Sequence, residues 1–146
     1  MELTLLHQLG IALGLGLLVG LQRERAASRI AGIRTFPLIT GLGVLCGVAA
    51  WQFGGWIVAA GLICLVAIST FPHLITLREE NPDKGTTTDM AVLVMYGVGA
   101  LLVVAPMEVG VAIGGGVAVL LHFKPELHSV AERLGNKDLK AIMQFV

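Results

Sequence analysis

Apolar runs long enough to cross a bilayer follow one another along this chain, and its basic residues are confined to alternate gaps between them. A spanning helix needs about 20 mostly apolar residues. Leu3–Leu21 is the first such run, broken only by His7 and Gln8 near its start. Further runs cover about Phe36–Trp51, Trp56–Leu77, Thr88–Ala105 and Met107–Phe123. The gap at 22–35 carries Arg23, Arg25, Arg29 and Arg34, and the gap at 78–88 carries Arg78 and Lys84. The tail carries Lys124, Arg133, Lys137 and Lys140, which completes the 10 basic residues. The N-terminus and the turns near 52–55 and 105–108 have none. Cytoplasmic loops collect Lys and Arg, so the reading is an all-α integral membrane protein of about five spans, N-terminus outside and C-terminus cytoplasmic.

Composition agrees. Hydrophobic residues make up 55% of the chain and charged residues 14%, against roughly 25% charged in soluble proteins. Net charge is zero, and no basic aromatic stripe is present, so nucleic acid is excluded as a partner. Cys46 and Cys64 lie inside apolar runs and read as small buried hydrophobes. Basic residues follow the first apolar run instead of preceding it, which argues against a cleavable signal peptide.

Local signals mark the breaks. Thr35 is placed to cap the second helix, and Pro37 sits in its first turn, where a missing N–H costs nothing. Gln52-Phe53-Gly54-Gly55 reads as a tight turn flanked by Trp51 and Trp56, an interfacial belt. Pro72 should loosen the end of the third helix. Pro106 marks the turn before the fifth. In the tail, Leu127, Val130, Ala131 and Leu134 recur at helical spacing, then Leu139, Ile142, Met143 and Val146. This predicts short amphipathic helices on the membrane surface over 124–146, apart from the membrane domain at 1–123.

Four GxxxG pairs, Gly10/Gly14, Gly16/Gly20, Gly43/Gly47 and Gly110/Gly114, allow close helix approach. Two fall in the first span, which should pack tightly on another helix. Contact within the chain and homodimerisation are both open.

Ionisable groups are absent from the middle of every span. Thr40, Ser69, Thr70 and Tyr96 are the mid-membrane polar residues, and they make no carboxylate cage for a divalent cation. Polar groups gather instead at the inner mouth: Arg23, Glu24, Arg25, Arg34 and Thr35 from the first loop, with Thr86, Thr87, Thr88 and Asp89 from the start of the fourth helix. A charged collar that fixes orientation and meets lipid phosphates is the simplest reading. A site for an ion, a phosphate group or a partner protein is the functional one. His7, His73, His122 and His128 are scattered, no catalytic motif is present, and neither an enzyme nor a cofactor is expected.

At the first gap the sequence resembles the MgtC/SapB family. LLVGLQRER (17–25) and AGIRT (31–35) are similar to a GLxRE-like end of the first helix and an AGxRT start of the second. Gly20, Leu21, Arg23 and Glu24 match the first motif, and Ala31, Gly32, Arg34 and Thr35 the second. GTTTDMA (85–91) looks like a later helix start in longer relatives, with Asp89 where Glu is commoner. Gln22 and Phe36 stand where the family often has Glu and His. The soluble C-terminal domain of virulence-associated members is missing, and the tail looks like a junction to a second membrane domain. The resemblance implies a multi-pass bacterial inner-membrane protein linked to Mg²⁺ homeostasis. It implies regulatory action on a membrane protein partner, the rotary ATP synthase, in preference to ion carriage. An ion or small-solute transporter, dimeric and lined by the mid-membrane hydroxyls, is the alternative, and an assembly module of a longer protein is a third.

Overall fold

The computed structural model describes residues 2–25, 32–75 and 86–123. These form five helices and no strand: α1 (Glu2–Arg25), α2 (Thr35–Phe53), α3 (Trp56–Ile75), α4 (Thr86–Val104) and α5 (Met107–His122). Three of them, α1, α2 and α4, are long and apolar enough to cross a membrane; α5 and the Trp56–Thr70 stretch of α3 are shorter apolar helices. Large side chains such as Leu3, Leu17, Leu45, Ile63, Ile68 and Leu120 are exposed around the outside. A water-soluble monomer rarely exposes so much apolar surface; hydrocarbon accepts it. The predicted amphipathic helices at 124–146, the loop with Arg78 and Lys84, Arg29, and the side chains of Arg25, His73 and Thr86 lie outside the described residues.

Helix ends depart from the sequence expectation at the polar borders. α1 continues a turn past Leu21 and takes in Gln22, Arg23, Glu24 and Arg25, because Gln, Arg and Glu are good helix formers. Thr35 does not cap α2. It is the first helical residue, preceded by Arg34, and its N–H donates to the Gly32 carbonyl at 3.1 Å. The chain has already begun to wind at Gly32, so the N-cap role moves back one residue. At the far end of α2, Gly54 adopts φ 95°, a conformation open to glycine, and its N–H donates to the Ala50 carbonyl. Trp56 Nε1 donates to the Phe53 carbonyl at 2.7 Å across this turn. α3 continues through Pro72 to Ile75.

Neighbouring residues define how the helices run. Gly16 lies against Pro37 and Thr40, and Gly20 against Gly32 and Ile33, so α1 and α2 are antiparallel. Gly43 lies against Gly99, and Gly47 against Ala100 and Val103, so α2 and α4 are parallel. Gly110 meets Leu102 and Gly114 meets Val98, which sets α5 antiparallel to α4. Each helix therefore reverses the one before. One end of the bundle gathers the close of α1 and α5 and the start of α2 and α4, with Arg23, Arg25 and Arg34. The other end holds Trp51 and Trp56.

Tight helix crossings explain which glycine pairs matter. A Cβ at Gly43 would overlap the Tyr96 carbonyl and lie 3.0 Å from Ala100 N and Gly99 Cα. One at Gly16 would fall 2.5 Å from Thr40 Oγ1 and 2.7 Å from Pro37 Cα. Gly10 and Gly14, by contrast, have nothing within 4 Å of such a Cβ. Of the two pairs in α1, only Gly16/Gly20 packs against the described residues.

Midway through the bundle the described core is apolar but for Thr40 and Tyr96, each satisfied by backbone; the other buried polar residues, Arg23 and Thr88, lie at the arginine end. Thr40 Oγ1 donates back to the Phe36 and Pro37 carbonyls, both at 3.1 Å. Tyr96, fully buried on α4, donates to the Val58 carbonyl of α3 at 2.8 Å. That bond ties α3 to the rest. Tyr96→Phe should cost about 1 kcal/mol and loosen α3 specifically; faster amide exchange confined to Trp56–Ile75 checks it.

Candidate functional site

The arginine end is built from three helix borders. Along α1, Ala12, Gly16, Val19, Gly20 and Arg23 are all buried, a spacing that keeps one helix face toward the core. Arg23 thus continues the core stripe instead of snorkelling outward, and it is only 5% exposed. Its Nε and Nη2 atoms are buried and have no hydrogen-bond partner among the described residues. On α4 the stripe of Thr88, Val92, Met95 and Tyr96 ends at this same level, with Thr88 1% exposed. Phe36 of α2 is fully buried beside them at the start of its helix.

The other charges are more superficial. Glu24 is exposed, and its Oε2 accepts from the Ile33 N–H at 3.2 Å, bracing α1 against the chain that leads into α2. A Cβ at Gly32 would strike Glu24 Oε2, so this glycine lets the carboxylate come close. Arg34 and Thr35 are exposed, and so is Thr87. Asp89 is half-buried in the first turn of α4, where a carboxylate complements the helix dipole. His122 Nδ1 and Gln22 Oε1 approach at 3.4 Å, joining the ends of α5 and α1.

The structure therefore brings Arg23, Glu24, Arg34, Thr35, Thr87, Thr88 and Asp89 to one end, as the spacing predicts, and separates a deep layer (Arg23, Thr88) from a rim. The mid-membrane hydroxyls do not converge. Thr40 lies among α1, α2 and α4, Tyr96 points to α3, and Thr70 is exposed and bonded to the Val66 carbonyl. Among the described residues no group of three or more His, Cys, Asp or Glu is placed to hold a metal ion. Cys46 is half-buried and Cys64 exposed, both as free thiols. His7 bonds the Leu3 carbonyl of its own helix.

The model of the MgtC family matches residues 9–130, most of the chain. The chain belongs to the MgtC family. No curated protein and no solved structure matches it. In this MgtC-family chain the described parts of the two motif segments, 17–25 and 32–35, meet at the arginine end. Gly20 lies against Gly32 and Ile33, and Glu24 braces Ile33. Their glycines set the distance between helices, and their charges supply the polar groups.

Proposed function

We propose that this chain is a regulatory, multi-pass protein of a bacterial inner membrane, linked to Mg²⁺ homeostasis, and that the arginine end, facing the cytoplasm, is its working site. The observation that carries this reading is the sorting of polar chemistry. Motif charges collect at one end, one of them buried, while the described interior midway through the bundle is apolar apart from Thr40 and Tyr96, whose hydroxyls are bonded to backbone. A pathway for a hydrated cation needs polar groups in succession through the bilayer. A buried guanidinium at the mouth, its Nε and Nη2 without partners among the described residues, also repels a divalent cation in a low-dielectric setting. Both features favour regulation over ion carriage, with a membrane protein as the natural partner.

The test is complementation in a bacterial host lacking its own MgtC-family protein and grown at low Mg²⁺. Glu24→Ala and Arg34→Ala are expected to drop growth to the empty-vector level while protein abundance in the membrane stays within about twofold of wild type, since exposed side chains contribute little to stability. Parallel loss of abundance would instead assign these residues to a structural collar. Robust Mg²⁺ flux by the purified protein in proteoliposomes would overturn the ranking in favour of a transporter.

A further inference from the structure

Among the described residues of the arginine end, Arg23 is a buried charge that neither capping nor bracing explains. Burying a guanidinium without partners is costly, and native proteins rarely leave such donors unused. Nε and Nη2, both buried and without a hydrogen-bond partner among the described residues, share one edge of the guanidinium plane. That edge is the fork that grips two oxygens of a phosphate or carboxylate at once. The surroundings choose between these. The N-termini of α2 and α4, helices of 19 residues each, both lie at this end; at α2 the Thr35 and Phe36 N–H groups already donate to the Gly32 carbonyl and Pro37 has none, so it is the helix dipoles that favour an anion here. Arg23 lies two residues beyond Leu21, the last apolar residue of α1, at the end of the apolar span Leu3–Glu24, and headgroup layers border the ends of such spans. Of the nearby carboxylates, Glu24 is directed to Ile33 N and Asp89 lies in the first turn of α4.

We propose that Arg23 binds a phosphate group, from a lipid headgroup or from free inorganic phosphate, through its Nε/Nη2 edge; this deepens the reading of the arginine end as the working site. The guanidinium holds two phosphate oxygens from the protein side, and the bound phosphate supplies the counter-charge that the helices do not. Occupancy then couples the packing of α1, α2 and α4 to what is present at the membrane surface.

The full chain, stripped of lipid and placed in nanodiscs of an uncharged, phosphate-free galactolipid, gives the test. One arm titrates inorganic phosphate, with sulfate as a control for general salting effects; the other replaces a fraction of the lipid with phosphatidylglycerol. Thermal unfolding is read in wild type, Arg23→Gln and Arg23→Lys. Wild type is expected to rise in midpoint in at least one arm. Arg23→Gln should weaken that response on the order of tenfold or more, and Arg23→Lys, which keeps the charge but loses the fork, by less. A rise with inorganic phosphate assigns a free anion; a rise with phosphatidylglycerol alone assigns a headgroup. Flat responses in both arms, or a response unchanged in folded Arg23→Gln, overturn the proposal. If they do so while Glu24→Ala and Arg34→Ala still fail to complement, the working site stands and its ligand is not a phosphate.

Discussion

Gly43→Ala is expected to destabilise the protein by about 3 kcal/mol or more, and Gly43→Val to prevent folding, because the new atoms would meet backbone instead of a movable side chain. The Tyr96 carbonyl, Ala100 N and Gly99 Cα line the spot a Cβ would occupy. Side chains can rotate away from an intruding methyl, but two packed helices must separate. Overpacking costs about 1–3 kcal/mol where neighbours yield and more where they cannot. Separation would also spoil the contacts of buried Thr40, Met95 and Tyr96 nearby. Gly99→Ala meets the Thr40 carbonyl and Gly43 Cα in the same crossing. The double variant should therefore cost less than the sum of the singles, as both fail at one approach. Gly10→Ala and Gly14→Ala are the controls: with open space at both, they should be neutral or stabilising by roughly 0.5 kcal/mol, since Ala is the better helix residue. Reversible unfolding of the alanine variants, singly and for the Gly43/Gly99 pair together, in mixed detergent micelles reads this directly. If Gly14→Ala is as damaging as Gly43→Ala, the outer face of α1 is packed against something beyond the described residues, and cross-linking of the full chain through that face then tests the homodimer.

Much of the architecture was legible because membrane helices announce themselves by length. The apolar runs, the glycine turn at 54–55 and the break at Pro106 place the helices to within a few residues. The charged gaps were harder. A run such as Gln22-Arg23-Glu24-Arg25 looks like a loop by polarity, yet each residue is a good helix former, and α1 continues through them. GxxxG spacing shows that close approach is allowed, not which face uses it, so Gly10/Gly14 and Gly16/Gly20 look equivalent in the sequence and differ in the fold. The site divides the same way. Its members were readable from their position at the ends of spans, but its depth was not. An arginine just past an apolar run normally snorkels to the interface. Only the stripe Ala12, Gly16, Val19, Gly20 predicts otherwise, because Arg23 falls on the same helix face, and that stripe acquires meaning once α2 is seen lying across Gly16 and Gly20.

Replacing that arginine should separate stability from function. Arg23→Met keeps the length of the side chain and removes a buried, unpartnered charge. Well-packed apolar replacements of buried ionic groups are often neutral or stabilising by about 1–4 kcal/mol, and the gain should sit toward the upper part of that range where no partner charge is lost. In phosphate-free galactolipid nanodiscs, Arg23→Met should therefore unfold at higher temperature than wild type. Complementation by the same variant should fall to background, as Met offers no hydrogen bonds to an anion. Opposite movements of the two readouts mean that the guanidinium is kept for what it binds, at a cost in stability that active sites commonly carry. Loss of stability in Arg23→Met would mean the reverse: the guanidinium would then be holding the ends of α1, α2 and α4 together within the chain, and the deep layer of the site would be structural. Arg23→Lys separates charge from geometry. It keeps the cost of burying a cation without restoring the two-pronged edge, so it should be no more stable than wild type and weaker in function.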